Sequence, residues 1–313
     1  MDLSIVVPVY NEDESLRELY SWIQRVVHEN RLSYEIIFVD DGSSDNSWTE
    51  IETLRGDDPQ VKGIKFQRNY GKSAALNEGF KAATGNVVIT MDADMQDSPD
   101  EIPELHRMIT GDGYDLVSGW KKQRHDPVSK TIPSRFFNWV TSKVSKIKLH
   151  DFNCGLKAYR LKVVKSIEVY GEMHRYIPLL AKWAGFRKIG EKVVIHNARK
   201  YGKSKFGTGR LITGGLDLAS ILFVGKYGKR PMHLFGTWGI LFFLIGFGVS
   251  IYLLISKIAS PAFSLTNRPF FYIALAVMVI GCQLFLSGFV AELIVRNAPG
   301  RNNYLIEKKV GIG

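Results

Sequence analysis

The residues with the most chemistry in this sequence lie in one run, Met91-Asp92-Ala93-Asp94-Met95-Gln96-Asp97, directly after the apolar stretch Val87-Val88-Ile89-Thr90. Two carboxylates one residue apart at the end of a buried strand are costly to desolvate, so a cation is expected beside them. Hard oxygen donors with too few protein ligands suit Mg²⁺ or Mn²⁺, which complete their shells with phosphate oxygens and water. A diphosphate substrate follows from that choice. A solvated acidic loop is the plain alternative.

A second acidic turn, Asp40-Asp41-Gly42-Ser43, follows the apolar segment ending at Val39. Asp-Gly-Ser is ordinary turn chemistry, so Asp41 is as well explained by local hydrogen bonds as by a ligand. Gly71-Lys72-Ser73 lacks the glycine that a Walker A loop needs at position 66, where Phe66 stands. Lys72 is then either a phosphate contact at a helix start or a solvated lysine.

The elements that position these groups alternate strand and helix. Leu3–Val9 reads as a strand buried on both faces, and Asn11 with Glu14 has capping-box spacing for a helix to about Asn30. Further strands are expected at Glu35–Val39, Val61–Phe66, Val87–Met91 and Tyr114–Ser118. Helices are expected at Asn46–Leu54 and at Ser73–Ala83, closed by Gly85, with a third opened by Ser98-Pro99-Asp100-Glu101. Such alternation predicts a mostly parallel α/β sheet that binds ligands beyond the carboxyl ends of its strands, where both acidic runs fall.

The chain has 313 residues, 45% of them hydrophobic, and a formal net charge of +10. Leu234–Ile255 and Phe270–Ala291 are almost free of charge, and 22 helical residues span about 33 Å, enough for a hydrocarbon core. Both are expected to cross a membrane. Lys226, Lys229 and Arg230 before the first span and Arg296, Arg301, Lys308 and Lys309 after the second outweigh Lys257 and Arg268 between them. The positive-inside rule then places the large N-terminal part and both termini in the cytoplasm. Residues 207–233 mix leucine and isoleucine with glycine and cations, as interface helices do. Met1-Asp2-Leu3-Ser4 leads into a strand without the features of a signal peptide. Cys154 and Cys282 fall in different parts of the chain, so no disulfide framework is expected. The positive charge suits an anionic bilayer surface; no basic helix or aromatic module points to nucleic acid. A homo-oligomer is compatible with the sequence, which leaves the oligomeric state open.

Four motifs together resemble the GT-A glycosyltransferases of the family 2 type, in the branch of dolichol-phosphate mannose synthase and the bacterial polyisoprenyl-phosphate glycosyltransferases. They are Val7-Pro8-Val9-Tyr10-Asn11-Glu12, Val39-Asp40-Asp41-Gly42-Ser43-Ser44-Asp45, the Met91–Asp97 run, and Arg199-Lys200-Tyr201-Gly202-Lys203-Ser204-Lys205. The resemblance implies a Rossmann-like GT-A domain over residues 1–206, an interface segment at 207–233, a two-helix anchor at 234–295 and a tail at 296–313. It implies that Pro8, Tyr10, Glu12 and Asp40 line a nucleotide pocket, with Asp40 accepting from the base. Asp92, Asp94 and Gln96 would hold Mg²⁺ or Mn²⁺ against the donor diphosphate. Arg124, Lys130 and Ser134 would meet the acceptor phosphate, although a charged loop is the default reading of that run. Asp151, in Asp151-Phe152-Asn153-Cys154-Gly155, would be a base or an orienting group. Arg199, Ser204 and Lys205 would clamp phosphate between donor and acceptor, or bind anionic lipid.

The implied reaction moves a hexose-type sugar from a nucleotide diphosphate to a polyisoprenyl phosphate, undecaprenyl or dolichyl, with inversion. A processive polysaccharide synthase shares such a donor site. It would also carry a Gln-x-x-Arg-Trp segment, and the nearest counterpart here, Arg175-Tyr176, lacks it. A non-catalytic membrane adaptor is the third reading, and the intact Asp92 and Asp94 argue against it.

Overall fold

The structure is a computed structural model that describes residues 1–122, 138, 140–143, 145–198, 200–201, 223, 227–228, 230–260, 264 and 268–297. It divides into two compact units, Met1–Leu218 and Ala219–Gly313.

The first unit is built on a seven-stranded sheet. Its strands are β1 (Leu3–Val9), β2 (Tyr34–Asp40), β3 (Val61–Lys65), β4 (Val87–Thr90), β5 (Leu116–Trp120), β6 (Lys157–Arg160) and β7 (Ile189–Val193). The spatial order is β3-β2-β1-β4-β6-β5-β7. The pairings β2–β3, β1–β2, β1–β4 and β5–β7 are parallel, whereas β6 runs antiparallel to both β4 and β5. β1, β2 and β4 are mostly apolar and buried along nearly their whole length, as strands covered on both faces must be, with Ser4, Glu35, Asp40 and Thr90 as their buried polar exceptions.

Helices α1 (Asp13–Glu29), α2 (Ser47–Asp57), α3 (Lys72–Ala82) and α4 (Ile102–Thr110) connect the first five strands. α1 buries Leu16, Leu19, Ile23, Val26 and Val27, a three-and-four-residue spacing that lays one apolar stripe on the sheet. Beyond them lie α5 (Leu161–Val164), a 3₁₀ turn at Met173–Tyr176 and α6 (Ile177–Trp183).

Two expected caps take other roles. Asn11 does not cap α1; it has φ 53°, and its Oδ1 accepts from the Ser44 N–H at 2.8 Å, joining the loops after β1 and β2. Gly85 lies beyond the end of α3, and a Cβ there would come within 2.5 Å of the Leu3 carbonyl carbon, so glycine is required by close approach to β1. The helix expected at Ser98 does start there, first as a 3₁₀ turn, Pro99–Glu101, that runs into α4; Glu101 closes no capping box and instead meets Lys192 and accepts the Ile195 N–H at 3.0 Å.

The second unit contains α7 (Met232–Ala259) and α8 (Pro269–Asn297), both long and apolar enough to cross a membrane. They contain the expected spans and extend past them at each end. Their mutual contact is made by small residues seven apart, Gly239 and Gly246 on α7 and Ala274, Gly281 and Gly288 on α8. A Cβ on Gly281 would meet the Phe243 nitrogen at 2.5 Å and the Gly239 carbonyl oxygen at 2.7 Å, so the two backbones touch directly. Large apolar side chains such as Leu244, Ile251, Phe270 and Leu286 point outward and remain exposed. The interface segment expected at 207–233 lies almost wholly outside the described residues.

At the amino edge of the sheet, Glu35 is fully buried and accepts from Ser4 Oγ, the Thr84 N–H at 2.7 Å and Lys62. Burial alone would raise its pKa, but Lys62, Ser4 and Thr84 hold it at about 2. A carboxyl depressed in the folded state adds stability above its unfolded pKa and loses it as pH falls from about 5 toward about 2. Glu35→Gln is therefore expected to cost about 2–3 kcal/mol at pH 7 and to flatten that acid dependence. Unfolding in detergent across this pH range measures both effects.

Candidate active site at the carboxyl edge of the sheet

The site begins with two zipped loops. After β1, the Asn11 N–H donates to Ser43 Oγ at 2.9 Å and the Glu12 N–H to Ser47 Oγ at 3.0 Å. Tyr10 is exposed at the strand end, while Pro8 and Glu12 are part-buried. Asp40 ends β2, opposite Val9 in register, and is fully buried. Its Oδ1 accepts from the Ser43 N–H at 2.9 Å, whereas Oδ2 has no partner among the described residues. A buried carboxylate oxygen left unpaired is expensive, and a donor N–H from a bound base would satisfy it.

Asp41 is structural. Its carboxylate accepts the Tyr70 N–H at 2.7 Å and the Gly71 N–H at 2.9 Å, holding the turn that starts α3. Burial raises its pKa.

The Asp92–Asp97 loop is held from four sides. Asp92 forms an ion pair with Lys72, the first residue of α3, so Lys72 is not a solvated helix-start lysine. The Asp92 N–H donates to Asp97 Oδ2 at 3.2 Å, and Asp97 lies 2.8 Å from Lys121 at the end of β5. Gly155 presses on Asp92 so closely that a Cβ there would lie 2.6 Å from Oδ2. The Asn197 N–H donates to the Gln96 carbonyl at 2.9 Å, and Asp97 bridges His196, joining the chain after β7 to the loop. Asp94 Oδ1 accepts from the Gln96 N–H at 3.2 Å, and Met95 turns with φ 62°.

The electrostatics follow from this crowding. Burial would raise the Asp92 pKa, yet the Lys72 and Lys121 ammoniums hold it down at about 2. Lys157, the first residue of β6, is 3% exposed and donates to the Cys154 carbonyl; burial lowers its pKa. Burial likewise pushes the Cys154 thiol up to about 12, which makes it inert as a nucleophile at neutral pH.

Among the described residues no three His, Cys, Asp or Glu side chains converge on a metal position. The donor set nonetheless fits a hard divalent cation: two carboxylates and the Gln96 amide, all within five residues, leave most of a coordination shell to phosphate and water. Asp151 is 1% exposed, and its Oδ1 accepts from the Asn153 N–H at 3.0 Å. Arg124, Lys130, Ser134, Arg199, Ser204 and Lys205 lie outside the described residues. Within the last motif, Lys200 and Tyr201 both reach Glu18 of α1, at 2.7 and 2.8 Å.

The structure therefore brings Asp40, Asp92, Asp94 and Gln96 to one edge. It adds three residues given no role in the sequence, Lys121, Lys157 and Asp97, and pairs Lys72, read there as a phosphate contact or a solvated lysine, with Asp92. Of the three, only Asp97 had a signal in the sequence, as the second acid in Asp-x-Gln-Asp.

A mixed α/β sheet with acidic loops at its carboxyl edge, and an antiparallel strand inserted after the fourth, defines the GT-A class of nucleotide-sugar enzymes. The glycosyl transferase family 2 profile matches residues 4–168, and the chain belongs to that family. It is 34% identical over 303 residues to the dodecaprenyl-phosphate galacturonate synthase of Rhizobium johnstonii, covering 95% of this chain and 88% of that one. It is also 34% identical over 314 residues to the undecaprenyl-phosphate 4-deoxy-4-formamido-L-arabinose transferase of Proteus mirabilis, covering 99% and 94%. The fold is similar to that of glucosyl-3-phosphoglycerate synthase from Mycobacterium tuberculosis in complex with Mn²⁺ and uridine-diphosphate-glucose, with a TM-score of 0.53, 20% identity, and coverage of 72% and 78%.

Asp97→Ala leaves Lys121, whose side chain is 14% exposed, as a buried cation without its nearest carboxylate. We expect a loss of about 3–5 kcal/mol in denaturant unfolding, largely recovered when Lys121→Met is added.

Proposed function

We propose that this protein transfers a sugar from a nucleoside diphosphate to a polyisoprenyl monophosphate, with inversion, at the cytoplasmic face of a membrane. The observation that carries the reading is the convergence of Asp40 with Asp92 and Asp94 at the carboxyl edge of the adjacent strands β2, β1 and β4. The two relatives matched over 95% and 99% of this chain, both polyprenyl-phosphate sugar enzymes by name, support the acceptor class.

In this reading Pro8, Tyr10, Glu12 and Asp40 receive the nucleotide, Asp40 through its unpaired Oδ2. Asp94 and Gln96, with Asp92 shared with Lys72, would hold Mg²⁺ or Mn²⁺. The cation supplies charge neutralisation to the departing diphosphate. Lys72 supplies a further positive charge on the same side, where negative charge grows as the anomeric C–O bond breaks. A phosphate monoester has its second pKa near 6 and is mostly dianionic at pH 7, so the attacking oxygen needs little deprotonation. Asp151 then serves orientation. Arg199, Ser204 and Lys205 would bridge the two phosphates, and Arg124, Lys130 and Ser134 would meet the acceptor. α7 and α8 would keep the domain at the bilayer in which the lipid acceptor resides.

Membranes containing the protein, supplied with labelled UDP- and GDP-sugars and with undecaprenyl or dolichyl phosphate, are expected to yield a labelled lipid on extraction. Asp94→Asn is expected to lower that labelling by at least a hundredfold with the fold intact, and excess chelator to abolish it until Mg²⁺ or Mn²⁺ is restored. Full transfer in chelator would refute the metal assignment. Single cysteines introduced at either terminus are expected to resist impermeant reagents in intact cells; labelling of either would overturn the topology.

A further inference from the structure

Ser73 and His174 tie α3 to the Met173–Tyr176 turn across a separation of 101 residues. The His174 N–H donates to Ser73 Oγ at 3.0 Å, and the same oxygen lies 3.0 Å from His174 Nδ1. Ser73 Oγ accepts from the backbone N–H and has its own hydrogen to donate to Nδ1; that arrangement puts the ring proton on Nε2. Nε2 has no hydrogen-bond partner among the described residues, and it is not sealed from solvent.

The surroundings select what Nε2 can meet. Lys72 precedes Ser73 and is paired with Asp92; Lys157 and Arg175 are also close enough to act on the ring. Burial first, then Lys72, Arg175 and Lys157, hold the His174 pKa well below the ordinary histidine value, so the ring is uncharged at neutral pH. An N–H donor among ammonium and guanidinium groups is complemented by an anionic oxygen that only accepts. In a site that handles a diphosphate and a phosphate monoester, that oxygen belongs to a phosphate.

We propose that His174 is a substrate-facing residue of this site, donating from Nε2 to a phosphate oxygen of the donor diphosphate or of the acceptor monophosphate. Ser73 is its positioning residue, fixing both the tautomer and the plane of the ring. The proposal rests on the transferase reading above, and the test separates the two.

His174→Phe keeps the bulk of the ring without the donor, and His174→Gln keeps an N–H donor. Both are compared with the full-length wild type in detergent, using undecaprenyl phosphate and the UDP- or GDP-sugar that labels lipid in wild-type membranes. Transfer by H174F is expected to fall on the order of ten- to a hundredfold, with H174Q within about threefold of wild type. Weakened calorimetric binding of UDP or GDP by H174F assigns the contact to the donor. Unchanged nucleotide binding with a raised KM for undecaprenyl phosphate assigns it to the acceptor, and a fall in kcat alone assigns it to the transition state. Should H174F lower the unfolding temperature, Ser73→Ala replaces it, with at least a threefold loss of transfer expected. H174F, or S73A in its place, transferring within twofold of wild type would overturn the proposal. So would H174Q falling as far as H174F with both proteins fully folded. A wild type that labels no lipid with any donor would instead overturn the transferase reading itself.

Discussion

Charge compensation around Asp92 is the constraint on which the rest of the site depends. A carboxylate pressed by Gly155 on one side and partly withdrawn from solvent stays ionised beside cations. Those cations come from three separate places: Lys72 opens α3, Lys121 directly follows β5, and Lys157 begins β6. The sheet must therefore be complete before the loop is stable. The antiparallel strand β6, the departure from an all-parallel sheet, is what carries Lys157 and the Gly155 turn under the acidic loop.

The side proposed to receive the nucleotide rests on a different device, a set of short hydrogen bonds between loops. Asn11, Ser43, Ser44 and Ser47 zip the ends of β1 and β2, and Asp41 then fastens the turn before α3. These groups are thus held in place by the fold itself, as the proposed transfer would require of groups that face a diphosphate gaining charge. The same turn presents Lys72 and Ser73, so the loops after β1 and β2 and the acidic loop after β4 share one support.

The hairpin of the second unit follows membrane logic. Nothing apolar is gained by packing leucines together in lipid, so close backbone approach at Gly239 and Gly281 does the pairing, and the large side chains turn outward. Spacing of seven residues between the small positions keeps the contact on one seam of each helix.

Local and periodic signals were legible in the chain. Apolar runs with turn chemistry between them determined the strands β1 to β5, their helices, the two long apolar helices and the placing of Asp40, Asp92 and Asp94 at strand ends. These follow from neighbours a few residues apart, whose patterning is written directly in the order of residues. Capping roles were read less well, because Asn11, Gly85 and Glu101 each had a more distant partner to satisfy. What only the tertiary structure decided was which lysine answers which carboxylate, that Asp41 fastens a turn, that β6 runs backwards, and that Ser73 orients His174. These pairings join residues 20 to 101 positions apart with no period to betray them, and each is settled by the energetic need of a buried polar group for a partner that folding alone can bring within reach.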